Sequence, residues 1–179
     1  MTQDIEHLDA TVFMPHGMLE GLSDQFDCIP HYLFRTSSPR SGGTTNETHV
    51  ASVAAINHFD QSDILARDWD EAVVMLQQHL LWEPYAEDNL VSWTSSFIFV
   101  VQHAIRREET DKPTSASNSI YISVLDTRKV PRGTFLPARA LLKAYDLPDE
   151  GKLKHDFYYG EYISQGSLYS DAISTTTLE

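Results

Sequence analysis

Between residues 89 and 108 the chain reads NLVSWTSSFIFVVQHAIRRE, and its periodicity changes halfway. LVSW alternates like a strand, whereas from Ser95 or Ser96 onward Phe97, Val101, Ala104 and Ile105 recur at helical spacing as far as Arg106 and Arg107. A strand that runs straight into a helix through Ser and Thr commits the fold to both kinds of structure. It also leaves backbone N–H groups open at the helix start.

The remaining segments alternate in the same irregular way. HYLFR (31–35) is rich in aromatic residues and reads as a first strand, followed by the turn-rich loop TSSPRSGGTTNETH (36–49). DWDEAVVMLQQHLLWEP places Trp69, Val73, Leu76 and Leu80 on one helical face, with acids in the first turn and Pro84 beyond the end. TDKPTSASNS reads as a flexible loop, IYISVLDT (120–127) as a strand, and VPRGT as a turn. PARALLKAY forms a short helix opened by Pro137 and closed by Pro148; GEYISQGSLY is a strand and SDAISTTTLE a terminal strand or tail. Residues 1–27 are acidic and weakly patterned, a peripheral arm or a short helix ahead of a single domain over 28–179. The interleaving lacks the strand–helix–strand rhythm of a doubly wound sheet. It predicts an α+β domain with a small mixed or split sheet and helices packed at its sides.

Charge and composition narrow the function. With 13 basic and 26 acidic residues the net charge is −13, which repels a polyanion and excludes a broad nucleic-acid surface. The longest purely apolar run is FIFVV, far short of a membrane span, and the N-terminus lacks the basic start and apolar core of a secretion signal. The expectation is a soluble, intracellular, cytoplasmic protein with no membrane or nucleic-acid partner. Cys28 is the only cysteine and reads as a buried thiol rather than a nucleophile beside His31. The eight histidines show no close pair at metal-ligand spacing, so no metal site is expected.

Three places carry candidate chemistry. Arg35 ends a strand-like run, and its planar fork suits a phosphate or pyrophosphate; Arg40, on the following loop, could reach the same anion. A structural ion pair with one of the acids is an equal reading of Arg35. In SWTSS, Ser92 and Thr94 alternate and so share a strand face, while Ser95 or Ser96 suits a helix cap. In YYGEYISQG, Glu161 lies among Phe157, Tyr158, Tyr159 and Tyr162, where a carboxylate can be desolvated and tuned; an exposed edge-strand acid is the plainer alternative.

YLFRTSSPRSGG, LVSWTSSFIFVVQHAI and EYISQG, in that order, resemble a family of uncharacterised fungal proteins known only as a domain of unknown function. The resemblance spans roughly residues 30 to 168. The same order is similar, more distantly, to the Arg–Ser–Glu class of mono-ADP-ribosyltransferases, the superfamily of the cholera-like toxins. That resemblance implies an ADP-ribosyltransferase-like fold, with Arg35 as the arginine that ends the first strand. Ser92 and Thr94 correspond to the Ser-Thr-Ser element, and Glu161 to the catalytic glutamate. Two departures stand out. Trp93 interrupts the Ser-Thr-Ser element, and Tyr159 occupies the place of the second acid that arginine-modifying members carry two positions before the catalytic glutamate.

The resemblance implies NAD as substrate, with the pyrophosphate on Arg35 and Arg40 and the nicotinamide ribose near Ser92, Ser95 and Thr94. Aromatic residues, Tyr159 and Tyr162 among them, would cover the nicotinamide ring. Glu161 would stabilise the oxocarbenium-like cation, and ADP-ribose would pass to water or to a protein acceptor other than arginine. A different class of function remains beside it: a catalytically inactive interaction domain whose acidic surface binds a basic protein partner.

Overall fold

The computed structural model describes residues 10–83, 88–110 and 119–177. Nine strands form one sheet: β1 (Ala10–Thr11), β2 (Tyr32–Ser37), β3 (Thr44–Thr45), β4 (His49–Ala51), β5 (Leu90–Thr94), β6 (Tyr121–Asp126), β7 (Leu136–Pro137), β8 (Glu161–Tyr169) and β9 (Ile173–Thr177). Four α-helices accompany them: α1 (Val53–Ile56), α2 (Trp69–Leu80), α3 (Phe97–Thr110) and α4 (Ala138–Ala144). The domain is α+β, as the interleaved periodicities predict. The strand order is β3-β4-β8-β5-β2-β6-β9, with β1 and β7 also pairing β8. Every ladder is antiparallel, which corrects the expectation of a mixed sheet.

The sheet is split. Residues 32–37 of β2 pair with β6 along the whole strand, and residues 90–94 of β5 pair with β8 along theirs. Between β2 and β5 the register has a single rung, Phe34 opposite Thr94. The two halves curl so that one face of each contributes to a shared core of Leu33, Val91, Trp93, Leu125, Leu168 and Ile173. On the other face of the β5–β8 half lie α2, α4 and residues 17–28, burying Leu22, Leu76, Leu80, Leu141 and Ile163. Val100 and Ala104 of α3 cover Ile120 and Ile122 on the β6 half, with Phe34 packed against them. Each fully buried aliphatic side chain in these clusters contributes about 1.5–3 kcal/mol.

β8 serves both ends of its half-sheet by exchanging partners at Gly166. Residues 161–165 pair with β5 and residues 167–169 with β4. At the switch the Gly166 amide donates to the Asn89 carbonyl, and the Gly166 carbonyl accepts from the Ser52 amide. Its φ of +62° and the Thr11 side chain, 2.8 Å at Cβ from where a Gly166 Cβ would stand, require glycine there.

Several local expectations shift for physical reasons. Over its described part, the expected peripheral arm is packed into the domain: β1 pairs β8, and Phe13, Leu19 and Leu22 lie in the core around α4. Residues 17–28 form a long 3₁₀ segment, which leaves Cys28 exposed at its end, not buried. On α2 the buried stripe is Ala72, Leu76 and Leu80; Trp69 stays 40% exposed, its ring tilted against Tyr145 at 5.0 Å. On α3 the buried positions are Val100 and Ala104, whereas Phe97 and Ile105 face outward. A run such as FIFVV is apolar at every phase, so its periodicity cannot choose the inward side. The expected loop 36–49 contains β3 and the start of β4. Most of the expected flexible loop TDKPTSASNS lies outside the described residues. Among the described residues no helix is long and apolar enough to cross a membrane.

Candidate functional site

The split between β2 and β5 is where the candidate residues meet. One step beyond the Phe34–Thr94 rung, the Ser92 carbonyl of β5 accepts a hydrogen bond from Arg35 Nη1 at 2.9 Å. Arg35 Nε donates to Thr45 Oγ1 on β3 at 3.0 Å. The guanidinium therefore occupies the position of a ladder donor while joining three strands. Its partners among the described residues are a carbonyl and a hydroxyl, and no carboxylate lies at ion-pair distance, so the ion-pair reading of Arg35 does not hold there. Burial, then the neighbouring Arg107, pull its pKa down to about 10, against the opposing pull of Asp88.

Ser92 is the centre of the arrangement. Its Oγ donates to Glu161 Oε1 at 2.8 Å and lies 2.9 Å from His79 Nε2. On the far side of the ring, His79 Nδ1 stands 2.9 Å from Asp88 Oδ1, which also accepts from the Leu90 amide at 2.8 Å. Glu161 is no exposed edge acid: it begins β8 directly opposite Thr94 on β5, with its carboxylate part-buried. Burial raises its pKa above the ordinary carboxylate value, opposed by the Ser92 hydrogen bond and the charge of His79.

Two chambers flank Ser92 and Arg35. The inner one, of about 330 Å³, has Glu161 and Thr94 in its wall and aromatic sides from Phe34, Trp82, Phe99, His103, Phe157 and Tyr159. The outer groove, of about 800 Å³, brings Arg35, Arg40 and Arg107 together with His79, Asp88 and Glu83. Arg107 ties the two sides of this groove: Nη1 donates to Ser38 and Ser41, and the guanidinium lies 5.9 Å from the Trp82 ring centroid. His103 packs edge-on to Trp82 and stacks on Phe99, and burial followed by Arg107, Arg106 and Arg35 lowers its pKa to about 4.

Of the residues singled out from the sequence, Arg35, Ser92, Thr94 and Glu161 converge on the inner chamber, and Arg40 lines the outer groove. Thr94 Oγ1 accepts from the Ser96 amide and Ser96 Oγ from the Phe99 amide, so this pair caps α3 while Thr94 also faces the chamber. Tyr159 stands at the rim, 83% exposed. Ser95 and Tyr162 do not join the chamber. The Ser95 amide and hydroxyl both bond the Gly160 carbonyl, fastening the end of β5 to the start of β8. Tyr162 is opposite Trp93, on the other side of the strand from Glu161, and packs against the shared core. Both line a depression of about 770 Å³ beside α4, which shares Tyr159 and Glu161 with the chamber. Trp93, between Ser92 and Thr94, faces the other side of β5. Its side chain points away from Ser92 and Thr94, is 2% exposed, and donates from Nε1 to Ser164 Oγ at 2.9 Å.

His79 and Asp88 were not legible as site residues. His79 follows Leu76 by three positions on α2, and that adjacency to the apolar stripe was the available signal.

Fold and site together define an α+β domain whose split antiparallel sheet opens a two-chambered cleft around Arg35, Ser92 and Glu161. The chain belongs to the family described as a domain of unknown function (DUF7587), which it matches over residues 28–178. No curated protein matches it.

Proposed function

We propose that the cleft binds NAD and that the protein cleaves the nicotinamide–ribose bond, passing ADP-ribose to water or to an acceptor other than arginine. The observation that carries this reading is the double hold on Ser92: its carbonyl takes Arg35, and its hydroxyl holds the Glu161 carboxylate. In that order of strands the three residues match the Arg–Ser–Glu pattern to which the sequence is similar. Arg35 stands in both chambers, with Arg40 and Arg107 beside the outer one, a setting suited to a pyrophosphate. The aromatic walls of the inner chamber suit stacking on a planar ring.

Cleavage of the C–N bond sends its electron pair to the nicotinamide ring and leaves an oxocarbenium-like ribose. A carboxylate held at the anomeric carbon lowers the barrier by opposing that developing charge. Glu161, fixed by Ser92, supplies it. The incoming nucleophile forms the new bond to the anomeric carbon and releases its proton to Glu161. Tyr159 holds no acid that could engage a guanidinium acceptor, so water or a different side chain takes the ADP-ribose.

The test is nicotinamide release from NAD by the wild type and by Glu161→Gln. Turnover should fall on the order of 10²-fold or more, and an unchanged rate removes the proposal. A second reading, an inactive interaction domain for a basic partner, draws on the net charge of −13 and on Phe97, Ile98 and Phe157 standing exposed beside the cleft. Calorimetry that finds no binding at millimolar NAD selects it.

A further inference from the structure

The contacts running from Asp88 to Glu161 can be counted for hydrogens. There are three: Asp88 Oδ1 to His79 Nδ1, His79 Nε2 to Ser92 Oγ, and Ser92 Oγ to Glu161 Oε1. Each needs one hydrogen between its heavy atoms. A serine hydroxyl brings one and a neutral imidazole brings one, while two ionised carboxylates bring none. A third hydrogen completes the chain. With Asp88 Oδ1 already accepting the Leu90 amide, that hydrogen belongs to the His79–Glu161 end. Either His79 carries both ring protons and Ser92 donates to an ionised Glu161, or Glu161 is protonated and the Ser92 hydroxyl turns to His79. The heavy atoms need not move between the two.

We propose that Asp88, His79 and Ser92 form a relay that shares one proton with Glu161, with His79 as the positioning residue that keeps the carboxylate ionised in its part-buried chamber. The placement fits this work. Glu161 opens on the inner chamber, His79 and Asp88 on the outer groove, and Ser92 on both, so the relay crosses the wall between them. Burial disfavours a charged Glu161, and an imidazolium one hydroxyl away opposes that cost. The other charged or titratable groups around the relay are Arg35 from β2, Arg40 from the loop after it, His103 and Arg107 from α3, Glu83 after α2, Arg139 and Lys143 from α4, and Tyr158 and Tyr159 before β8. Among these, Arg35 is fixed on the Ser92 carbonyl and Arg107 on Ser38 and Ser41, so His79 is the basic side chain placed on the hydroxyl that Glu161 shares.

In the proposed reaction, on which the catalytic use of the relay rests, the attacking group loses its proton as its bond to the anomeric carbon forms. Glu161 takes that proton. Water at the mouth of the inner chamber then takes the proton from Glu161, whose return to the carboxylate the His79 imidazolium favours through Ser92. The proton count balances, and no oxidant or reductant is involved.

The test compares the wild type with His79→Gln, whose amide still donates to Ser92 but carries no charge. The Glu161 carboxylate carbon is followed by NMR as pH is varied, with no ligand present. The midpoint should rise by on the order of one pH unit in His79→Gln, and Ser92→Ala should also raise it by removing the shared hydroxyl. A midpoint unmoved in a folded His79→Gln variant overturns the relay, whatever the protein does with NAD. If the midpoint rises but wild-type protein releases no nicotinamide, the relay stands and the NAD reading falls. If both hold, the acid limb of the nicotinamide-release profile should move upward in pH by the same interval.

Discussion

Glu161 is opposite Thr94 in the β5–β8 ladder, yet its carboxylate takes its hydrogen bond from Ser92, two residues further along β5. The diagonal contact leaves Thr94 Oγ1 to cap the start of α3. One strand of five residues thereby anchors a helix, a carboxylate and, through the Ser92 carbonyl, an arginine.

Replacing Arg35 by Lys should not be conservative. The guanidinium bonds Ser92 and Thr45 from two nitrogens at once, and a single ammonium on a flexible stem cannot span both. Urea unfolding of Arg35→Lys should show a loss of about 1–3 kcal/mol. On the NAD reading, calorimetry should show at least about tenfold weaker binding. An unchanged unfolding midpoint would mean that the seam between the half-sheets is held by something else.

His103 should make stability fall on the acid side of neutrality. Its pKa is lowered from 6.5 to about 4 in the fold, so the unfolded chain binds its proton more readily. The stability this represents is complete above pH 6.5 and is lost as pH falls through that window toward 4. Thermal unfolding from pH 7 to 4.5 should therefore show a steeper decline in wild type than in His103→Phe. Parallel curves for the two proteins would contradict the burial of a neutral imidazole between Trp82 and Phe99.

Gly166→Ala should be among the most costly small substitutions in the chain. It forces φ of +62° on a residue with a Cβ and drives that Cβ into Thr11. A loss of about 1–3 kcal/mol is expected from the strained backbone and contact together. Thr11→Ala in the same background should recover only part of the contact component, because the Cβ of residue 11 stays 2.8 Å away. Full recovery would show that the backbone tolerates the conformation.

The elements with one unambiguous pattern were legible in the sequence. β6 is a run of aromatic and β-branched residues, β8 opens on Tyr162 and Ile163, and α2 carries acids at its start and a consistent stripe at Leu76 and Leu80. The inward side of α3 was not, because five consecutive apolar residues favour no phase. Nor was the docking of residues 10–28, whose 3₁₀ geometry follows neither period read from the sequence and whose β1 is only two residues long. In the site, Arg35, Ser92 and Glu161 were found because each lies next to a strand-like run with a distinctive polar neighbour. Ser95 and Tyr162 lie outside the chamber on which Ser92 opens. Ser95 is consumed by the Gly160 carbonyl, and Tyr162 is one residue out of phase with Glu161 on an alternating strand. His79 and Asp88 escaped because a histidine three positions past Leu76 and an acid before a strand name no partner in the sequence; only the tertiary fold joins them.

With Phe34 and Thr94 as the sole register contact between β2 and β5, the domain resembles two stiff plates riveted at a single point. The curled core and the Arg35 fork resist their parting, but small relative tilts cost little ladder geometry. The rivet falls beside Ser92, so the serine that ties Arg35 to Glu161 also sits on the hinge line of the two plates.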